Sequence, residues 1–327
     1  MNIDAVIIWV DGEDEKFVKR KNKFIEGKNI FESTNKTRFN QVNEISIVVK
    51  SIFKFASFIR NIYIVTDRQT PKIYQQSKAW SPFYKDRIYI VDHKEVFFDH
   101  LDVLPTFNAC TIETMLQNIN GLSEHFIYFN DDMFLIKPTK KDDWFSNGKP
   151  IVRGKWKTQP NKLWYKRVRN FFFPSKLKRF GFNRAQAISA KIAGFEKRYF
   201  KTYHTPRALN KVILKGYFNK NKTLLKEQIK FRFRHHSQYL PYSLIWHYSI
   251  KNNLLITSEK TMLKEINVKP NTSNIKVINK IKRAIEDKDV LFLNIQSMDL
   301  LKAETIKEIN VILDDIIKIN LYDKSQE

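Results

Sequence analysis

Two adjacent carboxylates, Asp131 and Asp132, follow Asn130 at the end of the apolar run 126–129. Neighbouring carboxylates repel, and such a pair is most readily tolerated where a cation or a bound substrate offsets the repulsion. Hard oxygen ligands suit Mg2+ or Mn2+, with diphosphate oxygens completing the octahedron, so the cation would let an acidic rim accept an anionic nucleotide. Acids follow three earlier apolar runs as well: Asp11 after Val10, Asp67 after Val65 and Thr66, and Asp92 after Val91. Any one of these is as readily a helix cap or an Asx turn, but the series favours a shared crevice. The second half supplies cationic and titratable groups, His204 and Arg207 in one compact motif and Arg232, Arg234, His235 and His236 in another. An arginine holds phosphate oxygens bidentately and a neutral histidine relays protons. A lone histidine is more often a structural hydrogen bonder, and adjacent His235 and His236 on a strand would face opposite ways, which makes a poor metal site. The chain has no G-x-G-x-x-G, no G-x-x-x-x-G-K and only 8 glycines, which removes most of the weight from P-loop and dinucleotide readings.

For these groups to meet, something must bring them to one edge. The apolar runs 5–10, 62–65, 88–91 and 126–129 are continuous rather than alternating and rich in Ile and Val, as strands buried on both faces require. Between them, 43–55 places Ile45, Val48, Val49, Ile52 and Phe53 at helical spacing, and 110–119 does the same with Ile112, Met115, Leu116 and Ile119. Strand, helix, strand repeated predicts βαβ units and a mostly parallel α/β sheet, whose strand carboxyl ends share the edge where ligands bind. Near the end, 304–319 carries Ile306, Ile309, Ile312, Ile316 and Ile319 on one stripe, which predicts a packing helix.

The 327 residues are enough for one enzyme domain with insertions, and 43% hydrophobic with 14% aromatic content excludes a disordered chain. A net charge of +24 favours acidic partners, whether nucleic acid, anionic membrane or sugar nucleotide. The single cysteine, Cys110, excludes a disulfide framework and a cysteine-based zinc site. No stretch approaches the ~18 apolar residues that span a bilayer, and the first residues lack a basic leader, so the expected location is cytoplasmic. From Arg153 to Arg179 there are ten Lys or Arg and no acid, interleaved with Trp156, Trp164, Tyr165 and Phe171 to Phe173. That segment reads as an insertion or lid rather than a core strand. It suits an anionic polymer, an acidic membrane surface, or a solvated basic face whose Lys and Arg stems cover packed aromatics.

Longer motifs carry a resemblance. IDAVIIWVDGED at 3–14, TRFNQVNEISIVVKSIFKFASFIRNIYIVTDRQ from Thr37, IVDHKEVF, LPTFNACTIET and GLSEHFIYFNDDMFLIKP to Pro138, then YHTPRAL at 203–209 and FRFRHHSQYLPYSLIWHY at 231–248, together resemble the Stealth family of hexose-1-phosphate transferases. That family includes bacterial capsular and receptor polysaccharide phosphotransferases and the catalytic subunit of animal N-acetylglucosamine-1-phosphotransferase. The chain departs from it at Asn40 and Gln41, where many members have an acid, at Gln238, where an Asp is common in bacterial members, and in FLNIQS, where Ile295 stands in place of an acid; either another residue such as Asp299 supplies that ligand or the position is dispensable.

The resemblance implies a single catalytic domain over 1–327: a Rossmann-like half at 1–150, the basic insertion at 151–200, and a second half at 201–327 that completes the site. It implies transfer of a sugar-1-phosphate from a UDP-sugar to a glycan hydroxyl, giving a phosphodiester and UMP, with Mg2+ or Mn2+ at Asp131 and Asp132. Asp132 would be the general base, with Asp131 a metal ligand or a partner exchanging roles with it, and His204 and Arg234 would face the diphosphate. Asp11, Arg38, Asn43, Glu44, Asp67, Asn108, Asn130, Arg207 and Arg232 are the expected substrate-binding residues. The acceptor is expected to be lipid-linked, with the protein peripheral at the inner face of the membrane. A metal-dependent glycosyltransferase releasing UDP uses similar ingredients, and a nucleic-acid-binding protein is the reading from a different class.

Overall fold

The computed structural model describes residues 1–25, 39–40, 42–172 and 180–322. Its central strand, β1 (Ile3–Ile8), lies between β2 (Ile59–Thr66) and β4 (His125–Asn130), parallel to both, and β3 (Ile88–Asp92) continues the parallel ladder beyond β2. Four further strands come next in the chain: β5 (Met133–Leu135), β6 (Phe145–Ser146), β7 (Lys149–Thr158) and β8 (Arg198–Thr202). The strand after these, β9 (Arg207–Asn210), closes the edge beside β4 in the antiparallel sense, giving the order β3-β2-β1-β4-β9. This is the expected mostly parallel α/β sheet.

Period-2 alternation along β1 divides the core between two faces. Ile3, Ala5 and Ile7 pack with the helix Glu44–Phe55 through Ile45, Val48 and Ile52. Val6 faces the other way, with Val65, Phe126 and Tyr128, toward the helices Ala109–Met115 and Pro241–Lys251. Each fully buried Ile or Phe contributes about 1.5–3 kcal/mol, which is why both faces must be covered. The expected C-terminal helix is Ala303–Ile317, and it sits on the first face through buried Ile309, Leu313 and Ile317.

The remaining strands are β10 (Ile256–Ser258), β11 (Leu263–Asn267) and β12 (Phe292–Gln296); β12 pairs in parallel with β11 and antiparallel with β5. A separate three-stranded sheet thus has the order β11-β12-β5. The chain therefore leaves the main sheet at Asn130 and enters the second at Met133, with Asp131 and Asp132 as the turn between them.

The basic segment departs from expectation at its start. Residues 151–158 belong to β7, which pairs with β6, β8 and β10, so this stretch is sheet and not lid. Strand alternation was hidden there by cations: Arg153 is buried, donating to the Asp143 carbonyl, and Arg198 lies 4.2 Å over the ring of Trp156. Gly154 is required by the pairing, because a Cβ there would meet the Lys201 carbonyl oxygen at 2.4 Å.

Candidate functional site

The acidic turn is held from both sheets. Asn294 on β12 donates its amide to the Asp132 carbonyl at 2.9 Å, and the Ile295 backbone N–H donates to the same oxygen at 3.3 Å. From the main sheet, Arg207 lies opposite Tyr128 in the β4–β9 ladder and donates to Asn130 Oδ1 at 2.9 Å. Arg207 is 2% exposed, and its guanidinium sits 4.9 Å from the centre of the Tyr128 ring and 4.3 Å from that of Tyr242. His204, on the connection from β8 to β9, brings Nε2 to 3.5 Å from the Asn130 amide and 3.8 Å from Asp132 Oδ2.

The two carboxylates are driven apart in charge. Burial and the negative charges of Asp132 and Glu44 hold Asp131 well above the ordinary carboxylate range. Burial opposes ionisation of Asp132 as well, but His204, Asn294 and Arg207 outweigh it and hold that group below the usual range. Asp132 is therefore the ionised member, and its Oδ1 is buried without a hydrogen-bond partner among the described residues. A buried polar atom left in this state costs about 1–3 kcal/mol unless a ligand meets it, so it marks a place where a ligand belongs.

These groups line a cavity of about 640 Å3, together with Glu44, Asp67 and Arg234. Burial, reinforced by Asp132 and Asp299, raises Glu44 to about 7. Asp67 is paired with Arg20 at 3.1 Å and Arg234 lies 5.2 Å over the Phe180 ring. Of the expected residues, Glu44, Asp67, Asn130, Asp131, Asp132, His204, Arg207 and Arg234 thus share one cavity.

Others are engaged elsewhere. Asn108 caps the helix Ala109–Met115 and donates to the Phe231 carbonyl and to Gln238 Oε1, each at 2.9 Å. Arg232 donates to the carbonyls of Val103 and Pro105 at 3.1 and 2.8 Å, holding a loop. Asn43 precedes the helix Glu44–Phe55 and accepts from the Ser46 hydroxyl at 2.6 Å. Asp11 accepts from the Glu13 N–H at 3.0 Å in a turn where Gly12 has no room for a Cβ, which would lie 2.1 Å from the Phe39 carbonyl oxygen. None of these four lines the cavity. Arg38 and Gln41 lie outside the described residues.

The departures from the family pattern also find places. Gln238 is 1% exposed and accepts from both Asn108 and the His235 N–H while donating to the Gln228 carbonyl, so its amide ties three segments together. Ile295, buried on β12, and Asp299 both line the cavity, and Asp299 accepts from the Asn40 amide at 3.2 Å.

Sequence reading missed Glu113, whose Oε1 accepts from the Tyr128 hydroxyl at 3.0 Å while Oε2 is buried without a partner at the cavity wall. Burial raises its pKa against the pull of Arg207, Arg234 and His204. A carboxylate on the face shared by Ala109, Cys110 and Ile112 was the available signal. Trp9, Tyr128 and Tyr242, which also line the cavity, and Asn294, which holds the turn, carried none.

Among the described residues no group of three or more His, Cys, Asp and Glu side chains converges to hold a metal alone. Asp131 and Asp132 offer hard oxygens, one of them unpartnered. That donor set fits Mg2+ or Mn2+, of which Mg2+ commonly takes one or two protein carboxylates and completes its shell with water and substrate phosphate.

Residues 38–152 match Stealth protein CR2, conserved region 2. The chain is 44% identical over 145 residues to the capsular polysaccharide phosphotransferase fcs1 of Haemophilus influenzae, covering 44% of this chain and 37% of that protein. It is 37% identical over 145 residues to the exopolysaccharide phosphotransferase cps2G of Lactiplantibacillus plantarum, covering 44% and 40%. With the exopolysaccharide phosphotransferase SCO2594 of Streptomyces coelicolor the match extends over 214 residues at 32% identity, 65% of this chain and 33% of the other. The matches thus span about a third to two fifths of these relatives' lengths. Among solved structures, an active-site mutant of LgtC superposes with a TM-score of 0.46 at 9% identity over 95% of both chains. Mouse xyloside xylosyltransferase 1 does so at 0.41 and 9%, over 90% of this chain and 97% of the other.

Proposed function

We propose, on the premise that this chain carries conserved region 2 of the Stealth family, that it moves hexose-1-phosphate or N-acetylhexosamine-1-phosphate from a UDP-sugar to a hydroxyl of a growing cell-surface polysaccharide. The acceptor oxygen attacks the β-phosphorus. The bond from that phosphorus to the bridging oxygen breaks, UMP leaves with the bridging oxygen, and the product is a phosphodiester.

One observation carries the reading: an ionised Asp132, with an unpartnered buried oxygen, at the wall of a 640 Å3 cavity that also presents His204, Arg207 and Arg234. Phosphoryl transfer depends on positioning and charge neutralisation more than on covalent chemistry, and this wall supplies both kinds of group. Asp132 accepts the proton of the attacking hydroxyl, a role worth about 10²–10⁴-fold in rate. Its lowered pKa keeps it ionised through the neutral range. Asp131, with Asp132, would hold Mg2+ or Mn2+, and the bound cation would neutralise charge on the diphosphate. His204 and Arg234 add positive charge for the donor, and Arg207 positions the turn through Asn130. Glu44 and Asp67 are the donor-contacting acids on the first-half side. The acceptor in this reading is a lipid-linked glycan at the inner face of the membrane.

The test is the nucleotide released from a panel of UDP-sugars with Mg2+ or Mn2+ and a lipid-linked or soluble oligosaccharide acceptor. UMP equal in amount to new phosphodiester is expected. UDP would assign the cavity to glycosyl transfer, with cleavage at the anomeric carbon, and overturn the reading.

A further inference from the structure

The helix Trp164–Phe172 stands apart from the rest of the surface. Trp164, Tyr165, Val168, Phe171 and Phe172 are 73, 52, 47, 81 and 68% exposed. Their spacing of i, i+1, i+4, i+7 and i+8 puts all five on one helical stripe, the pattern that ordinarily faces a core. Here it faces solvent. The rings meet one another, Trp164 against Tyr165 and Phe171 against Phe172 at centroid distances of 6.3 and 5.4 Å. The helix packs chiefly on the turn Pro160–Lys162 just before it. The intervening sequence positions hold Lys166, Arg167, Arg169 and Asn170, and Lys176, Lys178 and Arg179 follow within ten residues.

We infer that this helix docks the protein on an anionic lipid bilayer, the aromatic stripe entering the headgroup boundary and the cations meeting the lipid phosphates. Charge decides the occupant. A stripe of Trp, Tyr, Val and Phe needs an apolar medium, and a helix whose neighbouring positions hold cations and no acid needs a negative one. A bilayer with anionic headgroups offers both within a few ångströms. A second copy of this chain would bring two like-charged surfaces together, in a protein already at +24. A nucleic acid supplies phosphate but no hydrocarbon for Val168 and the two phenylalanines. Phe180 and Phe182, a few residues further along the chain, line the acidic cavity, so docking here ties the membrane to the cavity-bearing part of the chain. The inference stands on the helix alone and survives whichever reaction the cavity performs.

The experiment is sedimentation of the full chain with vesicles of phosphatidylcholine alone or with about a third phosphatidylglycerol, in parallel with the double variant Phe171→Ser/Phe172→Ser and the single variant Trp164→Ser. All three positions are exposed, and circular dichroism checks that the variants fold. Partitioning at least about tenfold stronger onto the anionic vesicles, falling about tenfold in the double variant and less in the single one, is expected. Equal partitioning onto both vesicle types overturns the inference, as does a double variant that binds like the wild type. A dimer in solution that the double variant abolishes, without vesicle binding, assigns the stripe to self-association instead.

Discussion

The ends of β3 and β4 look alike in sequence, each an apolar strand running into acid, yet they have opposite fates. Asp92 spends its carboxylate within the fold: Oδ1 accepts from the Lys94 N–H at 2.9 Å, Oδ2 accepts from the Arg68 N–H at 2.9 Å, and Glu95 completes a capping box. Asp132 is fastened by its backbone carbonyl, through Asn294 and Ile295, and keeps Oδ1 unpartnered. An acid whose acceptors are consumed stabilises a helix end. An acid positioned through its backbone, with its side chain left open in a cavity, is available for chemistry. The same contrast separates His247 from His204. His247 is 1% exposed, accepts from the Phe200 N–H at Nε2 (2.9 Å) and contacts the Ser243 carbonyl through Nδ1 at 2.6 Å, so both nitrogens are committed.

If this division holds, consumed groups are felt in stability and open ones in turnover. The largest effect is expected at Asp132→Asn: turnover falls by about 10³-fold, while the melting temperature falls by only a few degrees, because the lost attraction to His204 and Arg207 is partly offset by relief of the like charges on Asp131 and Glu44. A parallel fall in stability and activity would erase the distinction. Next comes pH. Burial pushes His247 from 6.5 down to about 4, so the unfolded chain takes up a proton first as pH falls. The neutral histidine's stability is fully present above pH 6.5 and is lost as pH falls to about 4. The loss is on the order of 3 kcal/mol. Chemical denaturation across that window, compared with His247→Gln, should show the variant's pH slope flattened.

A smaller effect is expected at Asp92→Ala, about 1 kcal/mol of stability for a lost cap, with turnover within about twofold of wild type. A tenfold loss of turnover there would make β3 part of the site after all. Smallest is Asp11→Ala, whose side chain, among the described residues, accepts from the Glu13 N–H alone in a partly exposed turn. Stability is expected to move by about 0.5 kcal/mol or less and the Michaelis constant for donor to stay unchanged. A raised Michaelis constant would return Asp11 to the donor site.

The strands were legible because burial on both faces writes itself as continuous Ile and Val, and β1 to β4 fall within a few residues of the expected runs. β7 was not, because a cation, Arg153, sits in its buried centre and Lys149, Lys155 and Lys157 stand on either side of it. Within the site, the acids that close strands could be found by position. Asn108 and Arg232 have the residue types of a binding site, but the loops they hold are remote in sequence, 123 and up to 130 residues away. Glu113 went unread for the converse reason: a lone Glu among Ala, Cys and Ile marks an unusual position, but the partners that give it meaning, Tyr128 and the cavity, are set by packing.

By itself the sequence determined the parallel sheet, the edge on which its acids gather, and the adjacency of Asp131 and Asp132, since these depend on local hydrophobic period and chain order. Tertiary structure alone decided which acids stay open. That choice depends on partners brought from far along the chain, Asn294 at 162 residues' separation and Arg207 at 77 from Asn130. Hydrogen-bond capacity and local dielectric are properties of the assembled neighbourhood, and no residue carries them in its own identity.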